Sequence, residues 1–62
     1  MASNKWALFL FDENGDAIEV APRHSSARAP RAIREACKLL REKVAHRVDL
    51  VSPDGSKRYS LV

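Results

Sequence analysis

Residues 5–11 read Lys5-Trp6-Ala7-Leu8-Phe9-Leu10-Phe11, and Asp12-Glu13-Asn14-Gly15-Asp16 follows at once. A short run rich in aromatic and large apolar residues, stopped by a polar turn, predicts a β-strand. Side chains alternate along a strand, so Trp6, Leu8 and Leu10 share one face and Ala7, Phe9 and Phe11 the other. One face must meet the core. The other is either covered or exposed for a purpose. Asn14-Gly15 supplies the two positive-φ positions of a tight hairpin. Ala17–Val20 is then expected to return as a second strand, with Ile18 and Val20 on one face and Glu19 on the other.

Further along, Ala21–Pro30 (APRHSSARAP) has no apolar period and reads as a basic, flexible loop. Its length of about ten residues exceeds the usual median of about 4–6. Pro30 suits the first turn of a helix, where its missing N–H costs nothing. Arg31–Val44 follows, with Ile33, Ala36, Cys37, Leu40 and Val44 recurring as one apolar stripe. Arg31, Arg34, Lys38 and Arg41 fall within about 80° of arc on the far side. Arg31–Glu35 and Lys38–Glu42 are spaced as i,i+4 ion pairs. Arg47–Val51 reads as a third strand with Val48 and Leu50 inward, and Ser52-Pro53-Asp54-Gly55 as a turn. Lys57–Val62 is a fourth strand with Tyr59 and Leu61 on one face. The expected fold is therefore α+β: one ββαββ domain over residues 1–62, a mainly antiparallel four-stranded sheet with one helix on one face.

The 62 residues bound the function classes. A chain this short buries roughly 60% of the surface its unfolded form exposes, leaving a thin stability margin. Cys37 is the single cysteine, so no internal disulfide forms; its place on the apolar stripe predicts a small core residue. With no signal-peptide pattern, a cytoplasmic setting is expected. The apolar run Trp6–Phe11 is too short to span a bilayer, so no membrane partner is expected. His24, His46 and Cys37 lack the spacing of a metal module. His46, near the helix C-terminus, complements the helix dipole. The carboxylates around Asp12 lack the stepped oxygen ligands of a Ca2+ loop. No nucleophile–base pair, cofactor motif or small-molecule pocket stands out, so the chain reads as a non-enzyme without cofactors.

Charge is the functional signal. Residues 1–20 set Lys5 against Asp12, Glu13, Asp16 and Glu19, a net −3. Residues 21–47 set eight cations against Glu35 and Glu42, a net +6. The balance of the chain is +3. Arg23, Arg28 and Arg31 sit on a loop with no evident structural need for them, with Arg34 just inside the helix. Lys57 and Arg58 open the last strand. Cations clustered in this way neutralise phosphates and release counterions, and Phe9 or Phe11 on an open sheet face could stack on bases. These residues predict nucleic-acid binding, with DNA favoured and a nucleoid location following from it.

The stretches FDENGDAIEV, SARAPRAIREA and VDLVSPDGSKRYSLV resemble the archaeal non-histone chromosomal proteins, a family of monomeric DNA-bending proteins. The family's acidic hairpin turn, its Pro-Arg-x-Ala entry into a helix, and its Gly-(Ser/Thr)-Lys-(Lys/Arg) turn match residues 12–15, Pro30-Arg31-Ala32-Ile33 and Gly55-Ser56-Lys57-Arg58. The resemblance covers residues 5–62 and implies DNA contacts at Arg28, Arg31, Arg34, Lys57 and Arg58. The family's basic C-terminal arm has no counterpart in these 62 residues, so strong bending is not implied.

A reading of another class also follows from the two-sided first strand. Trp6, Phe9 and Phe11 would form a partner interface, making the chain a homodimer, a protein-interaction regulator or a phage- or virus-type inhibitor of a host complex.

Overall fold

The computed structural model describes residues 4–62. Strands β1 (Ala7–Phe11), β2 (Arg23–His24), β3 (Arg47–Val51) and β4 (Arg58–Leu61) form one antiparallel sheet in the order β2-β1-β3-β4. Helix α1 (Ala29–Arg41) lies between β2 and β3 in sequence and packs on one face. The α+β expectation holds, with one helix over four strands.

The first hairpin departs from expectation. Asp12 closes its turn as predicted: its carboxylate accepts N–H bonds from Asn14 and Asp16, and Gly15 N donates to Asp12 O. Only Gly15, at φ 85°, takes the left-handed conformation; Asn14 does not. The returning segment then makes a single bridge, Phe11 to Ala17, and Ile18 and Val20 stay exposed. The partner strand is instead Arg23–His24, inside the stretch expected to be a free loop; Ala7 pairs with His24 and Leu8 with Arg23. Trp6 then binds the chain on both sides, donating to Ser26 O and accepting from Ser25 N.

The helix begins two residues before the expected start and ends three before the expected end. Arg28 is its N-cap residue, and Pro30 lies in the first turn. Its end is a Schellman motif: Lys43 N donates to Leu40 O and Val44 N to Leu39 O. Lys43 holds the left-handed position, φ 59°, that glycine normally fills. Lys43→Gly should therefore stabilise the protein by about 1 kcal/mol, read as a higher urea midpoint at constant slope. An unchanged or lower midpoint would contradict this account of the helix end.

The helix face is also rotated from the expected stripe. Ala32, Ala36 and Leu39 are the buried residues, packed with Trp6, Leu8, Leu10, Val48 and Leu50. Ile33, Cys37 and Val44 are exposed, so Cys37 is not a core residue. The small alanines let the helix backbone approach the sheet closely; the larger Ile33 would hold it off.

Candidate nucleic-acid interface

The register fixes what lies at each end of the sheet. Ala7, Val51 and Arg58 share one end, and Phe11 and Arg47 the other. Residues 25–26 sit beside Trp6, so α1 starts at the Arg58 end. Arg28 and Arg31, at the start of α1, and Lys57 and Arg58, at the start of β4, thus lie towards the same end of the sheet, the first two following edge strand β2 and the last two on the opposite edge. The acidic turn at Asp12–Asp16 is at the opposite end, beside His46, whose N–H donates to Phe11 O. The acidic turn therefore lies away from these cations.

The six sequence-predicted cations are not equivalent. Arg28, Arg31 and Lys57 are exposed and form no side-chain ion pair with any described residue. Arg34 is also exposed and unpaired, one turn into the helix on its outer side. Arg23 is different. Its guanidinium grips Glu19 through two hydrogen bonds of 2.8 and 2.9 Å, which hold the Glu19 carboxyl below its ordinary range. This pair staples the bulged segment to β2, so Arg23 has the structural task that the loop reading denied it. Arg58 donates to Asp49 at 2.9 Å.

The helix ion pairs expected at Arg31–Glu35 and Lys38–Glu42 do not close: the ion pairs among the described residues are Glu19–Arg23, Arg47–Asp49 and Asp49–Arg58. In both cases the cation precedes the carboxylate, the weaker orientation for an i,i+4 pair. Arg23, Arg31, Arg34, Lys38 and Arg41 border an open groove of about 660 Å³ along this flank of the helix, and Glu35 and Glu42 line it with them.

The second turn positions Lys57. Asp54 Oδ1 accepts from the Ser52 hydroxyl and from the N–H and hydroxyl of Ser56, and Lys57 N donates to Ser52 Oγ. The Ser56 N–H, then the Ser52 and Ser56 hydroxyls, pull the Asp54 carboxyl down to about 2. The turn is thus held by a carboxylate that stays ionised well into acid.

On the sheet face away from the helix lies a cluster that the sequence reading missed. Asp49 is only 4% exposed. Its carboxylate accepts from Arg58 at 2.9 Å and from the Ser60 hydroxyl at 2.7 Å, with Arg47 Nε at 3.3 Å. The Arg47 guanidinium lies 4.1 Å from the Phe11 ring centroid and that of Arg58 5.9 Å from Phe9. Phe9 and Phe11 are half-buried under these arginines rather than free to stack on bases. Strand alternation in RVDLV could have placed Arg47 and Asp49 on one face; the partnership with Arg58 and Ser60 needs the register. Trp6, expected with the phenylalanines at an interface, faces the helix side and is buried, its ring stacked 6.2 Å from Tyr59.

Among the described residues no cluster of His, Cys, Asp and Glu could hold a metal ion, and no helix is long and apolar enough to cross a membrane. No protein-family model, curated protein or solved structure matches the chain.

Proposed function

We propose that the protein is a small non-enzymatic nucleic-acid-binding protein, acting at the nucleoid, that meets the phosphates of duplex DNA with one end of its sheet. Arg28, Arg31 and Lys57 make the contacts, with Arg34 and Arg58 flanking them. The observation that carries this reading is that three exposed cations, without an ion-pair partner among the described residues, lie towards the end of the sheet remote from the acidic turn. The start of α1 adds to it: its first turn holds no acidic residue, and the first N–H groups of a helix favour negative charge. No residue is set to read base edges, so affinity should come from phosphates and depend little on sequence.

The test is a titration of a fluorescent duplex at two or more salt concentrations. Three or four phosphate contacts predict a log–log slope of about −3. Arg28→Glu with Arg31→Glu should weaken binding at least tenfold and flatten the slope, while leaving the folded state intact because both side chains are exposed. Affinity that does not change with salt, or a double variant that binds like the parent, would sink the reading. A parallel titration with single-stranded DNA tests the preference for duplex.

A further inference from the structure

The charges of α1 repeat. Arg31-Ala32-Ile33-Arg34-Glu35-Ala36-Cys37 is followed by Lys38-Leu39-Leu40-Arg41-Glu42-Lys43-Val44. Both heptads set a cation first, arginine fourth and glutamate fifth. Seven residues make about two helical turns, so the two triads share one flank, about 10.5 Å apart along the axis. That flank is the wall of the 660 Å³ groove, and all six charged side chains line it. All six are exposed, and none closes an ion pair with a described residue. The core uses Ala32, Ala36 and Leu39 of the helix and has no need of the repeat.

Hydroxyls line the groove as well, on Ser25 and Ser26. Both serines are fixed by main-chain bonds, Ser25 N donating to Trp6 O and Trp6 N to Ser26 O. Ser26 Oγ accepts from Arg28 N at 3.1 Å, which leaves its own proton for a ligand. Arg23, the remaining cation, is held by Glu19.

The chemistry of these walls selects the occupant. Among the described residues that line the groove, Leu39 is the one hydrophobic side chain, and it is buried. A protein or a peptide helix would find no apolar anchor. No aromatic ring lines the groove among the described residues, so bases have nothing to stack on. What remains is a row of four cations over about 15 Å, with one carboxylate beside each pair. A bare polyanion meets those carboxylates as repulsion. A sugar–phosphate backbone with hydroxyls between its phosphates meets them as acceptors. RNA carries such a hydroxyl at every 2′ position, and DNA carries none.

We propose that the groove holds the backbone of a single RNA strand. Arg31, Arg34, Lys38 and Arg41 neutralise its phosphates, and Glu35 and Glu42 accept from its 2′-hydroxyls. At a stacked rise of about 3.4 Å per phosphate, the row spans about four nucleotides. The site shares only Arg31 with the sheet end assigned to duplex DNA, and it does not rest on that reading.

A fluorescent uridine oligomer and its 2′-deoxy counterpart differ only in the hydroxyl, and titrating both tests the proposal. The RNA should bind about tenfold more tightly, as hydrogen bonds to a charged group allow. Glu35→Ala with Glu42→Ala should tighten the deoxy oligomer, by removing two repulsive charges, and abolish the preference for RNA. Lys38→Gln with Arg41→Gln should weaken RNA at least tenfold and flatten its log–log salt slope by about 1.4, two phosphate contacts on a single strand. The same variant should bind duplex DNA like the parent, because Arg28, Arg31 and Lys57 remain. Trp6 fluorescence unchanged from the parent shows that both variants are folded. Equal affinities of the parent for the two oligomers overturn the proposal, and so does a preference that survives in the glutamate variant. A polyglutamate peptide that binds as tightly as the RNA overturns it too, as does a Lys38/Arg41 variant that weakens RNA and duplex DNA alike. Failure of the duplex titration alone removes the DNA reading and leaves the RNA groove standing.

Discussion

Leu50→Ala should cost about 3–4 kcal/mol, the middle of the range for large-to-small changes at buried leucines. Leu50 is fully buried at the centre of the sheet, on β3, between Leu8 of β1 and Tyr59 of β4. Every neighbour is fixed by a strand or by the helix, so the site has little freedom to collapse around the lost atoms. A chain of this length has about 3–9 kcal/mol in total, so this one change takes between a third and all of it. Urea unfolding followed through Trp6, the single tryptophan, measures it. The contrast is Ile33→Ala, expected below about 1 kcal/mol because the side chain is already partly in water. Equal losses at Leu50 and Ile33 would mean that the helix presents the face centred on Ile33 to the sheet.

Asp49→Ala should cost about 2 kcal/mol and change the response to acid. Removing one partner of a fully buried ion pair typically costs about 3–5 kcal/mol. Here the side chains of Arg47 and Arg58 are 39% and 62% exposed, so both can turn towards water once Asp49 is gone, and the loss is smaller. Burial pushes the Asp49 carboxyl up, but the Arg58 and Ser60 hydrogen bonds and the charges of Arg47 and Arg58 outweigh it, and it titrates below its ordinary value of 3.8. An unfolded chain therefore binds protons before the folded one does. The stability from Asp49 is complete above pH 3.8 and drains away as the pH falls through the folded-state value. Asp54 acts in the same sense down to about 2. Stability measured from pH 5 downwards should fall less steeply in Asp49→Asn than in the parent. Parallel curves, or an alanine variant as stable as the parent, would show that the cluster does not hold the sheet together.

Local signals were legible where a single residue type decides a local conformation. The KWALFLF strand, its alternating faces, both glycine turns and the Val48/Leu50 strand follow from alternation and turn chemistry alone. The helix was legible as a helix but not in its facing. Of the stripe Ile33, Ala36, Cys37, Leu40 and Val44, Ala36 is buried and Leu40 packs against the core, whereas Ile33, Cys37 and Val44 are exposed and Ala32 and Leu39 complete the buried face. The second strand was misplaced because Ile18 and Val20 look like strand residues, whereas β1 pairs with Arg23–His24, which has no strand pattern in sequence. The candidate site was legible as a list of cations. Which of them are free was not, since Arg58 meets Asp49 only once β3 and β4 are in register, and the distance between the basic end and the acidic turn is a property of topology.

The two central strands come from opposite ends of the chain: Ala7 pairs with Val51, with the whole helix between them. During synthesis, KWALFLF leaves the ribosome before its main partner and waits for it until the helix and β3 have been made. Until then β1 has the two-residue β2 and the single bridge to Ala17 to pair with, and α1, whose buried residues are two alanines and a leucine, lacks the β3 face it packs on. The core thus rests on contacts far apart in the sequence, which slow folding. The waiting stretch is aromatic, free of proline, and charged only at Lys5, the composition of a self-associating segment. The acidic turn immediately after it is then a gatekeeper as well as a turn: Asp12, Glu13 and Asp16 keep nascent copies of that segment apart until β3 arrives.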